Sequence, residues 1–317
     1  MDLLLGIDIG STSMKALVYD LDGNVISHGS CPTESTANDP DHPNWQVYMP
    51  DHIWNGISSA IHEAVSQIGQ QNQIIAAAVT GLGADAVPLN ERGEPVYPFI
   101  NWICTRTTSQ YERWLENVGL ERTFEISGWQ PFIWSTALRF IWLKENKPEI
   151  ASQIHKWLII EDYVNYKLTG KYSTDYTDAS PTLLFDQRSL KWSEELLKIA
   201  GLEKELLPTP QPSGSFIGEV TPEAALKTGL IPGTPIYQGG HDYLVGALAA
   251  GAISPGMFLD VTGTWELIIT PTNEPKWTPE IRKLGLTVEA HSVPDMYCIW
   301  VGEQLQACWN GTKIRSD

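Results

Sequence analysis

LLLGIDIGSTSMKALVYDLDGNVI, residues 3–26, decides the fold class. Residues 3–9 are a short apolar run, and Gly10-Ser11-Thr12-Ser13 supplies turn formers. Residues 14–20 carry β-branched and aromatic side chains, and Asp22-Gly23 marks a second turn before residues 25–30. Such runs, punctuated by Gly, Ser and Asp, predict strands joined by tight turns, here a three-strand antiparallel meander. Downstream, Ile53, Trp54, Ile57, Ile61 and Val65 recur at helical spacing, with Asp51 as a capping candidate. Residues 74–79 are a continuous apolar run closed by Thr80-Gly81, which reads as a buried strand returning to the same sheet. Meander, helix and buried strand together predict a mixed α/β layer.

Further along, helical patterns cover 108–117, 135–145 and 160–168, and the Pro-, Gly- and Ser-rich stretch 208–218 reads as a surface crossing between subdomains. A short strand over 235–240 runs into Gly239-Gly240-His241-Asp242, and a small-residue helix follows over 243–250. Residues 257–261, the turn Thr262-Gly263-Thr264 and residues 265–270 then repeat the strand, short turn, strand design of the amino terminus. Two such hairpins facing one cleft would be able to hold a polyphosphate from both sides.

Composition narrows the function classes. The chain has 317 residues, enough for about two domains at roughly 100 to 200 residues each. Its 21 Lys+Arg against 38 Asp+Glu give a net charge of −17, so neither nucleic acid nor an anionic membrane is an expected partner, since both demand a basic footprint. Any phosphate handled would then have to be held locally, by backbone amides, a metal or a few cations. The hydrophobic content of 42% is ample for buried cores. Cys31, Cys104, Cys298 and Cys308 are widely spaced, which reads as free thiols in a reducing compartment rather than a zinc site. MDLLLGIDIG lacks the basic start of a secretory signal, and the weakly polar stretch 243–253 is short of the ~20 residues that span a bilayer. A soluble, cytoplasmic protein is expected.

Four motifs carry candidate chemistry, each with a plainer alternative. Asp8 at a strand end, beside the turn Gly10-Ser11-Thr12-Ser13 and Lys15, can hold Mg²⁺ and phosphate oxygens; the alternative is an ordinary hairpin turn. Asp242, after two glycines at the end of a buried strand, suits a general base toward a substrate hydroxyl, or else caps the helix that follows. His241 reads as structural. Thr262-Gly263-Thr264 is a bare turn unless it pairs with the first hairpin. Gly83-Ala84-Asp85, with Trp102 and Arg106 downstream, suits a polyol, because Asp accepts two hydroxyl hydrogen bonds and an indole packs on C–H groups. An exposed loop Asp and packing Trp side chains are the alternative.

Taken in order, the amino-terminal stretch above, VTGLGADAVPLNERGEPVYPFINWICTRT, STALRFIWLKENKPEI, YQGGHDYLVGALAAG and VTGTWELII resemble the FGGY carbohydrate kinases, most of all the members that phosphorylate L-fuculose. The resemblance runs to about Gly302. It implies an actin-like, ribonuclease-H-like sugar-binding domain over 1–246, and the start of a second domain of the same fold, nucleotide-binding, over 247–317. It also implies ATP-dependent phosphorylation of a sugar hydroxyl. Carried over by motif, Asp242 is the expected base and a sugar contact. Asp8 organises Mg²⁺, while Gly10, Ser11, Thr12, Ser13 and Lys15 contact phosphate from one side and Gly263 and Thr264 from the other. Asp85, Trp102, Arg106 and Trp134 contact the sugar.

Departures from the family pattern refine this. Arg139 stands where the family commonly has Lys, a mild change if it makes only a surface contact. Leu82-Gly83-Ala84-Asp85 lacks the Met-His of xylulose kinases and the Arg-Glu of glycerol kinases, which favours a deoxyketohexose such as L-fuculose or L-rhamnulose; xylulose or another polyol is the alternative substrate. The resemblance also implies a longer second domain, so apolar strands near 257–270 are expected to lack a partner layer and to promote self-association. A remnant that binds sugar without turnover is then the competing class. Residues 307–315 lack the amphipathic pattern the family places there. One permitted back-translation, shifted by one nucleotide, gives Met-Leu-Glu-Trp-Tyr-Lys-Asp-Gln, an expectation of a frameshift near residue 307.

Overall fold

Leu3, Leu5, Ile7 and Ile9 alternate with more exposed residues along the first strand and are all buried, the period-2 signature of a strand with one face on a core. The computed structural model describes residues 1–69, 73–262 and 265–304. Gly263, Thr264, Cys308 and the 307–315 segment lie outside them.

In chain order, the elements that position the site begin with β1 (Asp2–Ile9), β2 (Ser13–Asp20), β3 (Val25–Pro32) and α1 (Pro50–Ser66). They continue with β4 (Gln73–Gly81), β5 (Ala86–Leu89), α2 (Thr136–Asn146), β6 (Lys156–Ile159) and α3 (Ile160–Thr169). Then come β7 (Phe216–Glu219), β8 (Pro235–His241) and α4 (Asp242–Ala249), followed by β9 (Leu259–Thr262), β10 (Trp265–Thr272), β11 (Thr287–Ala290) and β12 (Tyr297–Gln304).

The main sheet has the order β7-β8-β4-β1-β2-β3. β1, β2 and β3 form the antiparallel meander, and β4 runs parallel to β1 with Val79 opposite Ile7 and Thr80 opposite Asp8. β8 is parallel to β4 on its other side, and β7 closes the edge antiparallel to β8. α1 packs on β2 and β3 through buried Ile53, Ile57 and Ile61, and α3 packs on β4 and β8. A second sheet, β9-β10-β12-β11, is antiparallel throughout. A second core, rich in Trp, joins it to the first unit: Trp129 and Trp300 pack edge to face with ring centroids 5.1 Å apart.

The mixed α/β layer, the meander and the returning parallel strand agree with the sequence reading. Three local expectations need correction. Asp51 does not cap α1; the cap position is Met49 and Asp51 sits in the first turn, where a negative charge favours the helix dipole. Stretch 208–218 is not merely a surface crossing, since its end enters the main sheet as β7 and Ser213 donates a hydrogen bond to the buried Asp175. The mainly helical region also contains β6, which pairs antiparallel with β5. Of the apolar residues in the stretch expected to be exposed, Met257, Phe258 and Ile268 are.

Candidate active site

β1, β4 and β8 run parallel and end side by side, and the carboxyl ends of such strands are where open α/β sheets form their crevices. Asp8, the penultimate residue of β1, lies across the hairpin from Lys15 on β2. The turn between them is pinned by Thr33, whose N–H donates to Thr12 O at 3.0 Å and whose hydroxyl donates to Gly10 O at 2.7 Å. With those carbonyls occupied, Ser11, Thr12 and Ser13 line a cavity of about 450 Å³.

Asp242 is brought to the same place from the far end of the chain. β8 delivers it as the first residue of α4, after Gly240 at φ +133, a conformation that side chains resist. A Cβ there would also sit 2.6 Å from Thr177 Oγ1, so the tight exit from β8 requires glycine. Thr80 locks the register by donating its hydroxyl to Gly240 O at 2.6 Å, and the His241 N–H donates to Thr177 Oγ1 at 2.8 Å.

A larger cavity of about 640 Å³ adjoins the first, and Asp8, Ser11, Lys15, Asp242 and Gly246 border both. The rest of its lining is mostly aromatic and aliphatic. Trp102, Trp129, Trp134, Tyr243 and Trp300 supply aromatic surface, and Trp134 is stacked on Phe132 at 4.8 Å and 7°. The crevice thus has a polar compartment and an aromatic one, with two carboxylates at their junction.

Electrostatics set these carboxylates apart from surface acids. Asp242 is open to the cavity, yet protein walls thin the water around it. Desolvation first, and the nearby charge of Asp8 second, push its pKa up to about 7, against a 2.6 Å hydrogen bond from the Tyr243 N–H that favours the charged form. Burial also raises Asp8, which Lys15 partly offsets. His241 is buried and its pKa is driven down to about 4 by desolvation, so it stays neutral. Its ring packs against Gly83, whose φ of +77 and close approach leave no room for a Cβ, which would lie 2.5 Å from Nε2.

Residues named from sequence divide into three groups. Asp8, Gly10, Ser11, Thr12, Ser13, Lys15, Trp102, Trp134 and Asp242 line the two cavities. Gly263 and Thr264 lie outside the described residues. Asp85 and Arg106, expected to contact sugar, do not line either cavity. Asp85 is fully buried and paired with Arg139 at 2.6 Å, and it accepts the Trp102 N–H at 3.2 Å. Arg106 sits between Trp45 and Trp142, 5.0 and 4.9 Å from their ring centres, and donates to Tyr97 OH and Asn38 Oδ1, both at 2.9 Å. Arg139 is accordingly no surface contact: it is 1% exposed and its partner is Asp85. Sequence reasoning passed over Trp129, Tyr243 and Trp300 as cavity residues. Only the position of Tyr243 next to Asp242 would have signalled one of them.

The donor set at the junction suits Mg²⁺ in the form that ion takes with polyphosphates: several waters, substrate oxygens and one or two carboxylates. No cluster of three or more His, Cys, Asp or Glu side chains able to cage an ion exists among the described residues. Asp8 and Asp242 are the two carboxylates at the junction, and burial raises the pKa of both, with Lys15 partly offsetting it at Asp8.

Comparison with known proteins settles the lineage. The profile of the FGGY family of carbohydrate kinases, N-terminal domain, matches residues 3–249. The chain belongs to the FGGY family of carbohydrate kinases. It is 28% identical over 296 residues to L-fuculokinase of Escherichia coli K12, covering 93% of this chain and 62% of that one. It is 30% identical over 311 residues to xylulose kinase of Lactococcus lactis, covering 97% and 60%. Among solved structures, xylulose kinase from Rhodospirillum rubrum superposes with a TM-score of 0.89 at 26% identity, over 97% of this chain and 62% of that one. The chain therefore spans about three fifths of the length of the relatives it matches. The actin-like fold of FGGY kinases is the fold observed. No helix among the described residues is long and apolar enough to cross a membrane.

Proposed function

We propose that this FGGY chain carries the sugar site and the first phosphate hairpin of an ATP-dependent, Mg²⁺-dependent ketose kinase. The reading takes residues 1–246 as the sugar-binding domain and those from 247 as the start of the nucleotide-binding domain. A single observation carries it: a polar cavity and an aromatic cavity meet at Asp8 and Asp242. Phosphoryl transfer needs a nucleophile and a phosphoryl group aligned across one point, with charge neutralised there.

In this reading the sugar lies in the aromatic cavity, with C–H faces against Trp102 and Trp134. The reacting hydroxyl points at Asp242, which accepts its proton as the oxygen attacks the γ-phosphate. A base with a pKa near 7 is well matched to that task at neutral pH. Ser11, Thr12, Ser13 and Lys15 hold phosphate oxygens, and Gly263 and Thr264 are assigned the facing contacts. Bound Mg²⁺, organised by Asp8, would neutralise charge between the phosphates.

The largely apolar lining and the absence of Asp85 from it favour a substrate with a deoxy edge, L-fuculose or L-rhamnulose, over a fully hydroxylated polyol. Calorimetry with L-fuculose, L-rhamnulose and D-xylulose, followed by a coupled ADP-release assay with MgATP, tests this. Tightest binding and turnover with a deoxyketohexose are expected. Absence of binding by all three ketoses would end the sugar-kinase reading.

A further inference from the structure

Behind the aromatic cavity lies a carboxylate that the proposed chemistry does not use. Glu289 is in β11, a strand whose residues are all buried, and is itself fully buried. The Tyr243 hydroxyl donates to its Oε1, and Cys298 Sγ lies 3.9 Å from the same oxygen. Its Oε2 has no hydrogen-bond partner among the described residues, nor do the indole N–H groups of Trp129 and Trp300. Both indoles nevertheless lie close enough to favour the charged carboxylate, without reaching hydrogen-bond geometry. Tyr243, Trp129 and Trp300 are three of the aromatic residues lining the larger cavity.

An acceptor that faces two donors without closing a hydrogen bond to either leaves polar groups imperfectly paired in a packed interior, which costs stability. Ordinary core packing would have resolved this with an apolar side chain, which is often neutral or stabilising in place of a buried charge. The strand is otherwise firmly fixed to the first domain: Val288 N–H donates to Gly128 O at 2.9 Å, Ala290 N–H to Gln187 Oε1 at 3.0 Å, and Ser292 Oγ to Leu244 O at 3.0 Å. Glu289 is therefore not needed to dock β11. Burial holds its pKa up at about 8, against the pull of Tyr243 and the two indoles toward the charged form.

We propose that Glu289 is a positioning residue for the sugar: it fixes the Tyr243 ring beside Asp242 and aims the indoles of Trp129 and Trp300, thereby setting which ketose the cavity accepts. This rests on the reading of that cavity as the sugar site. Because the Tyr243 hydroxyl spends its hydrogen on Glu289, it faces any ligand as an acceptor and selects a substrate hydroxyl that donates.

Glu289→Gln tests the assignment. The amide carbonyl still accepts from Tyr243, but its NH₂ turns a donor toward two indole donors. Melting temperature should hold, because a carboxyl with its pKa at about 8 is largely neutral at pH 7 and the amide keeps its shape and the acceptor for Tyr243. Calorimetric affinity for the best-binding ketose of L-fuculose, L-rhamnulose and D-xylulose should fall by about tenfold, while MgATP affinity stays unchanged. Adding Tyr243→Phe to Glu289→Gln should weaken sugar binding little further, as both act through one link. Wild-type ketose affinity in Glu289→Gln would overturn the proposal. Acrylamide quenching of tryptophan fluorescence, measured without sugar, separates this failure from failure of the kinase reading. If the wild-type protein binds no ketose, increased quenching in Glu289→Gln still upholds the positioning of Trp129 and Trp300, and unchanged quenching refutes it.

Discussion

Asp8 and Asp242 in the crevice, and Glu161, Asp162, Asp175 and Asp178 in the interior behind it, share a property that usually marks active sites. Burial raises the pKa of every one of them. What separates the groups is access. The first two line cavities, while the other four are at most 3% exposed and line neither. No Lys, Arg or His forms an ion pair with the interior four among the described residues. They are held by neutral donors: Gly83 N–H donates to Glu161 at 2.7 Å, and Thr177, Ser213 and the Asp178 N–H all donate to Asp175. Asp85 shows a third arrangement, a buried carboxylate neutralised by Arg139. A shifted pKa thus reports surroundings, and only a path to a ligand turns it into chemistry.

The largest effect expected to sharpen this contrast is at Asp242. Asp242→Asn should lower ketose phosphorylation by about 10² to 10⁴, the usual contribution of a general base, without weakening sugar binding or lowering the melting temperature. ADP release and calorimetry on one preparation would show it, and turnover near the wild-type rate would remove Asp242 from the mechanism. Because a base must be deprotonated to act, wild-type kcat/KM should climb as pH rises through about 7.

Next in size is Arg139→Met. It strips Asp85 of its partner and should cost about 3–5 kcal/mol in denaturant unfolding, as removal of one member of a buried ion pair does. A loss below ~1 kcal/mol, the range of exposed pairs, would mean the pair contributes as a surface contact would.

A smaller, pH-dependent effect is expected at Glu161, whose pKa is pushed up to about 8 by burial and then by neighbouring acids. A carboxyl that binds its proton more tightly when folded loses stability as pH rises from its ordinary value of 4.5 to that raised value. The wild-type melting temperature should therefore decline between about pH 5 and pH 8. Glu161→Gln, whose carbonyl can still accept from Gly83, should flatten the decline by about 2–4 °C per kcal/mol recovered. An unaltered slope would show that the interior carboxyls titrate as surface groups do.

Legibility followed the range of the interactions. The meander, the strand returning beside it and the turn carrying Asp8 were readable because strand and turn preferences are local. β6 and the strand character of β7 were not, since both are short pieces whose pairing, rather than their composition, makes them strands. At the site, Asp242 and Lys15 were readable as charged residues flanking glycine-rich turns. The fates of Asp85 and Arg106 were hidden, because a carboxylate or a guanidinium looks the same in sequence whether it meets a ligand, another charge or an aromatic pair.

By itself the sequence determined the family, the opening meander with the strand that returns beside it, and the two acidic positions on which the proposed chemistry rests, because periodicity and turn residues act over a few neighbours. Only tertiary structure decided that residues 8 and 242 share one junction, that Arg139 neutralises Asp85, and that Tyr243, Trp129 and Trp300 form a cavity wall around Glu289. Those outcomes depend on parallel pairing between β1, β4 and β8 and on packing between the two sheets, contacts that bring together residues far apart in the chain.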